Sequence, residues 1–159
     1  MTARVRFILV IFSSVVAISG LTFLQKKWEI YRYKKRIAEI EDTYKSAFEL
    51  NKERKYTQAK LRFEKALGLS PNYIDAPDAH FCVAQIYILE SDYTLAIRHY
   101  TEIIEKFANS NKANDSLYTT GIIYKNFIGN HKKAHQIFKE YCKKYPNDKR
   151  AKKLKRFMK

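Results

Sequence analysis

Three carboxylates recur at equal steps: Glu41, Asp78 and Asp115 lie 37 residues apart. Three residues after each comes an aromatic, Tyr44, Phe81 and Tyr118, which in a helix puts acid and ring one turn apart on one face. Phe48 and Gln85 lie one further turn along the first two of these segments. A carboxylate beside a ring does recognition chemistry. It attracts a Lys or Arg head and offers apolar surface to the stem. Two structural explanations compete with recognition. An acid in a first helical turn is favoured by the macrodipole alone, and aromatics at helical spacing pack as core.

Other chemistry is thin. His131 and His135 are four apart and share a helix face, as metal ligands do, but no third ligand stands nearby and a solvated face is expected. His80 and His99 read as isolated surface or packing residues. Cys82 and Cys142 lie 60 apart with no CxxC, so nothing demands zinc or a disulfide. Nucleophile elbows, HExxH, P-loops and GxGxxG are all missing. The expectation is a non-enzyme with no cofactor and no small-molecule substrate.

The elements that must carry the acid–aromatic steps repeat as well. Ala59, Ala96 and Ala134 are spaced 37 and 38, and four residues after each comes Phe63, Tyr100 or Phe138. Upstream, Ala47, Ala84 and Gly121 are followed three later by Leu50, Tyr87 and Tyr124. The units close with Ser70-Pro71-Asn72, Phe107-Ala108-Asn109 and Tyr145-Pro146-Asn147. With only four Gly and three Pro, strands and tight hairpins are disfavoured. Helix pairs are predicted at 40–52 with 56–69, 76–89 with 93–107, and 113–127 with 131–144. A short cap follows at 148–158. Small residues let paired helices approach, aromatics fill between pairs, and stacked neighbours bury what one hairpin cannot.

Over residues 40–147 this pattern resembles the tetratricopeptide repeat family. The departures are Ala108 for the second terminal proline, Thr43, His80 and Leu117 for the first-helix Trp, and a period above the usual one. The resemblance implies an all-α, right-handed superhelix of three hairpins plus a capping helix. It also implies a concave groove on which Glu41, Tyr44, Phe48, Asp78, Phe81, Gln85, Asp115 and Tyr118 would face a protein or peptide partner. The Lys/Asn/Arg clamp of chaperone-binding relatives is absent: Tyr44, Phe48, Cys82, Asp115 and Thr119 stand at its positions. The phrases KEYCKKYPND and KANDSLYTTGIIY look most like the bacterial envelope branch, which includes the Tol-Pal accessory protein and an outer-membrane assembly lipoprotein.

The charge of +15 is uneven. Residues 1–36 hold eight basic residues and one acid, residues 149–159 hold seven and none, and 37–148 hold 16 and 15. A nucleic-acid reader usually carries its charge on the folded domain, so nucleic acid is disfavoured as a partner. Between residues 7 and 24 there are 18 uncharged residues. As a helix they would cover about 27 Å, close to a bilayer core of about 30 Å. The expectation is a single transmembrane helix, with a cleaved signal peptide ending near Ala17-Ile18-Ser19 as the alternative. Lys26, Lys27, Trp28, Lys34, Lys35 and Arg36 would then contact the membrane surface.

The expected organisation is therefore a basic flank (1–6), an anchor (7–24), a juxtamembrane helix (25–39), three repeats (40–147) and a basic cap (148–159). The expected function is a membrane-anchored scaffold in a cell-envelope complex with its repeats in the periplasm. The alternatives are a cytoplasm-facing adaptor and a basic nucleic-acid-associated protein.

Overall fold

Between Gly20 and Gly68 there is neither Gly nor Pro, and nothing in that stretch opposes a helix. In the structure, a computed structural model, it is helical apart from one short turn. The structure describes the backbone of residues 3–157 and the side chains of residues 22–155. The described residues form seven helices: α1 (Ala3–Lys52), α2 (Tyr56–Leu69), α3 (Ala76–Leu89), α4 (Tyr93–Lys106), α5 (Asn111–Asn126), α6 (His131–Lys144) and α7 (Lys149–Phe157). The chain divides into two units, Met1–Asp42 and Thr43–Lys159.

The first unit is the greater part of α1. From Phe23 onward its described side chains mix bases and rings. Trp28 stacks on Tyr31 at 5.8 Å, and Arg32 lies 5.8 Å from the Trp28 ring centre. Lys26, Lys27, Trp28, Lys34, Lys35 and Arg36 are all exposed. Among the described residues no helix is long and apolar enough to cross a membrane. That finding corrects the expected transmembrane helix over 7–24, and with it the single-pass membrane location. From residue 22 onward charged side chains recur every few positions of α1, so its described part lacks the uncharged run of about 18 residues that a span needs. The side chains of residues 7–21, on which most of that expectation falls, lie outside the described ones.

In the second unit, successive helices pack as neighbours: α2 on α3, α3 on α4, α4 on α5, α5 on α6 and α6 on α7, with α3 also touching α5. Small residues make this close packing feasible. Ala47, Ala59, Ala84, Ala96 and Ala134 are buried, as are Phe63, Tyr100 and Phe138 beside them. Gly121 is the tightest point, because a Cβ there would sit 2.5 Å from Phe138 Cε1. Alanine has the better helix propensity by about 1 kcal/mol, yet overpacking of this kind costs about 1–3 kcal/mol. Gly121→Ala is therefore expected to lower the urea midpoint. An unchanged or raised midpoint would show that Phe138 moves freely.

The turns repeat too. Residues 53–55 and 90–92 each join two helices, and 127–130 does the same with one residue more, which makes the second step 38 rather than 37. Lys55 N–H donates to Leu50 O at 2.9 Å and Asp92 N–H to Tyr87 O at 2.8 Å, each closing a helix end through a left-handed residue. Those left-handed residues are Arg54 (φ 60), Ser91 (φ 62) and, in the third turn, Gly129 (φ 74). Only the third is suited to its backbone. Ser91→Gly is expected to stabilise the chain by about 1 kcal/mol, read as a rise in thermal midpoint; a fall would mean the Ser91 side chain holds the turn. After two of the turns a side chain caps the next helix: Asp92 accepts from Leu95 N–H at 3.0 Å and Asn130 from Lys133 N–H at 2.9 Å.

Candidate functional site

The acid–aromatic steps meet cations supplied by the chain itself. Asp78, in the first turn of α3, pairs with Lys112 of α5 at 3.1 Å, and the same ammonium lies 5.3 Å from the Phe81 ring centre. Asp115, in α5, pairs with Arg150 of α7 at 2.7 Å, and that guanidinium lies 4.9 Å from the Tyr118 ring and 5.6 Å from Tyr141. Each helix thus offers a carboxylate and a ring one turn apart, and the next-but-one helix inserts a cation between them. We call these arrangements clasps. The second clasp is the more elaborate. Arg150 also donates to Asp148 Oδ2 at 3.1 Å and to Asn114 Oδ1 at 3.2 Å. These bonds hold the Asp148 carboxyl well below the usual carboxylate range and push the guanidinium further up.

The first step of the series departs. Glu41 is exposed and belongs to the first unit. Tyr44 is fully buried in the second: its ring stacks on Tyr73 at 5.1 Å and its hydroxyl donates to Ser70 O at 2.8 Å. Burial, with Asp75 close by, pushes that hydroxyl up to about 12. The clasp cations recur on the period of the repeat, since Asp75, Lys112 and Arg150 are spaced 37 and 38. Where the later units carry a base, the earlier one carries an acid. Reasoning from the acids alone missed Lys112 and Arg150, although the same period marks them.

Beside the first clasp lies a hollow of about 430 Å³ lined by Asn51, Tyr56, Phe81, Gln85, Ile88, Leu89, Tyr100 and Thr119. No ionised side chain lines it. Gln85 and Leu89 are exposed there, and Phe81 meets Tyr100 edge-on at 5.5 Å. Asn51 Nδ2 approaches Cys82 Sγ at 3.7 Å, and burial raises that thiol to about 11, so it stays protonated at neutral pH. A larger hollow, about 630 Å³ between α1 and α2, is lined by Glu49, Glu53, Arg62 and Lys65 with Leu50 and Leu61. Four charges around two leucines make it a wet surface and a poor apolar seat. Phe48 is half-buried, edge-on to Phe63 at 4.9 Å, and Tyr118 is half-buried against Tyr141 at 5.4 Å. The two clasps and the uncharged hollow gather Asp78, Phe81, Gln85, Asp115 and Tyr118 into one region of the second unit. Tyr44 and Phe48 stay in the packing around α2.

Residues 115–148 match the family described as Tetratricopeptide repeat. That segment is a tetratricopeptide repeat. It covers α5 from Asp115, all of α6 and the turn to Asp148, so it opens on the acid of the second clasp and closes on the carboxylate that holds Arg150. Comparison with curated proteins finds no similar sequence. Tetratricopeptide repeats are interaction modules, typically non-catalytic. Among the described residues no group of three or more His, Cys, Asp or Glu is arranged to hold a metal ion. His131 and His135 are exposed on α6.

The structure joins two residues that the spacing left apart. His80 of α3 and His99 of α4 bring their Nδ1 atoms to 2.9 Å. Tyr87 stacks on His99 at 5.6 Å, and Phe107 lies 6.2 Å from His80. His99 Nε2 is buried without a partner. A bare acceptor is cheaper to bury than an orphaned N–H. The tautomer that follows has His99 donating from Nδ1 to His80. Burial lowers His80 and lowers His99 to about 4, so both rings are neutral at pH 7.

Proposed function

We propose that the second unit is a protein-binding scaffold whose uncharged hollow beside α3 receives an apolar helical or extended segment of a partner protein. The observation that carries this reading is the lining: Tyr56, Phe81, Gln85, Leu89 and Thr119 combine rings, an aliphatic chain and neutral polar groups, as peptide-binding surfaces do. The neighbouring acids do not add a cation-binding function, because Lys112 and Arg150 already hold Asp78 and Asp115. Recognition therefore falls to shape and apolar contact, with Gln85 and Thr119 setting register. The tetratricopeptide repeat at 115–148 supports the general role. A cell-envelope complex as the partner pool is supported by the phrases KEYCKKYPND and KANDSLYTTGIIY and by their resemblance to the envelope branch.

The test compares capture by three forms of the full chain. Gln85→Arg with Leu89→Glu changes only exposed side chains of the hollow and should lose the protein that the parent chain retains. Glu41→Lys should retain it. Retention by the Gln85/Leu89 variant, or loss in Glu41→Lys alone, would move the binding surface elsewhere.

A further inference from the structure

Sequence partition assigns the positive charge to two flanks, but folding moves one of them onto the repeat unit. α7 packs on α6, Ala151 is fully buried, and Cys142 Sγ lies 3.6 Å from Ala151 O. The basic C-terminal segment is thus a wall of the folded array. Counted with the helix beneath it, the wall is strongly asymmetric: residues 131–159 hold 12 Lys and Arg against two acids. One of those acids, Asp148, is tied to Arg150. Nine lysines between Lys132 and Lys155 are exposed. On α6, Lys132, Lys139 and Lys143 follow at steps of seven and four and fall on one stripe, opposite the buried Ala134, Phe138 and Tyr141. On α7, Lys149, Lys152 and Lys153 face outward while Ala151 and Leu154 face α6.

We propose that the outward face of α6 and α7 binds double-stranded nucleic acid through its phosphate backbone, without reading sequence. The make-up of the face selects this partner over others. Protein interfaces are depleted in Lys and need aromatic or aliphatic anchors, and no large exposed hydrophobic is found among the described residues after Ile128. A membrane-lying helix needs an apolar face to sink into the headgroup region; the apolar side of α7 is already spent on α6. Single strands are held mainly by aromatic rings that stack on bases, and among its described residues this face exposes the imidazoles of His131 and His135 but no Phe, Tyr or Trp. A phosphate backbone needs only positive charge set along a line.

The probe is a fluorescein-labelled 20-base-pair DNA duplex of mixed sequence, titrated with the full chain by anisotropy between 50 and 200 mM salt. With six lysines in contact, log K should fall with log salt at a slope of roughly −5, about a thousandfold over that range. Lys139→Glu, Lys143→Glu and Lys152→Glu together should flatten the slope by about 3. The same three positions changed to Gln serve as a second variant, and circular dichroism confirms that each keeps its helices. Reversing Lys26, Lys34 and Lys35 in the first unit should leave the slope in place. A slope shallower than about −2, or a slope carried by the first-unit lysines, overturns the proposal. So does tighter binding at equal salt to poly-glutamate or to phosphatidylserine vesicles.

Discussion

Arg150→Ala is expected to lower the unfolding free energy by about 2–3 kcal/mol, read from urea denaturation at pH 7. One guanidinium ties three segments together: Asp115 and Asn114 of α5, Asp148 of the preceding turn, and the rings of Tyr118 and Tyr141. A surface ion pair contributes under about 1 kcal/mol, but here the half-buried cation lies against two rings and makes charge-assisted bonds to two carboxylates. Its removal takes the cation from Asp148, whose side chain is only 19% exposed, and leaves that carboxylate the hydrogen bonds from Asn114 Nδ2 and the N–H of residue 150. Arg150→Lys should recover less than half of the loss, because an ammonium cannot span two carboxylates and an amide as the planar fork does. The Asp148 carboxyl is depressed in the folded state, so its contribution is full above the ordinary carboxylate pKa and fades as pH falls below about 4. The gap between parent and variant should narrow there. A loss under about 0.5 kcal/mol at pH 7 would mean that α7 docks by its apolar side alone.

Acidification from pH 6.5 toward 4 is expected to remove up to about 3 kcal/mol of stability through His99. The folded chain holds this ring neutral down to about 4, while the unfolded chain takes up a proton near 6.5. The stabilisation is therefore whole above 6.5 and is lost as pH falls through that window. His80 is lowered too and adds in the same direction. The charged groups facing the pair are Glu102, Arg98 and Lys106. Glu102 is itself held below its ordinary value by Lys106, and its negative charge opposes the shift only in part. His99→Phe should flatten the pH dependence between 6.5 and 4.5 while leaving helicity intact, because Tyr87 offers the new ring the same stacking face. A parent chain equally stable at pH 7 and 4.5 would show that the two rings are hydrated and not packed together.

Much of the fold was legible because its signals are local. The small–aromatic pairs Ala59/Phe63, Ala96/Tyr100 and Ala134/Phe138 lie one helical turn apart, and the bounds of α2, α3 and α6 fall where that periodicity ends. The site was legible in part. The period singled out Asp78 and Asp115, but Tyr44 shares that period and is core: it is fully buried and its hydroxyl donates to Ser70 O at the C-terminal end of α2. The anchor expectation rested on the apolar run at 7–24 and on its basic and aromatic flanks. Among the described residues no helix of the required length and apolarity exists.

By itself, the sequence determined the repeat length, the helices and the residues that let them nest, since each depends on side chains within a turn or two of one another. Tertiary structure decided what those residues meet. Arg150 reaches Asp115 across 35 residues and His99 reaches His80 across 19. No rule of local spacing specifies such a pairing, because it depends on which helix faces come to lie opposite one another once the hairpins stack.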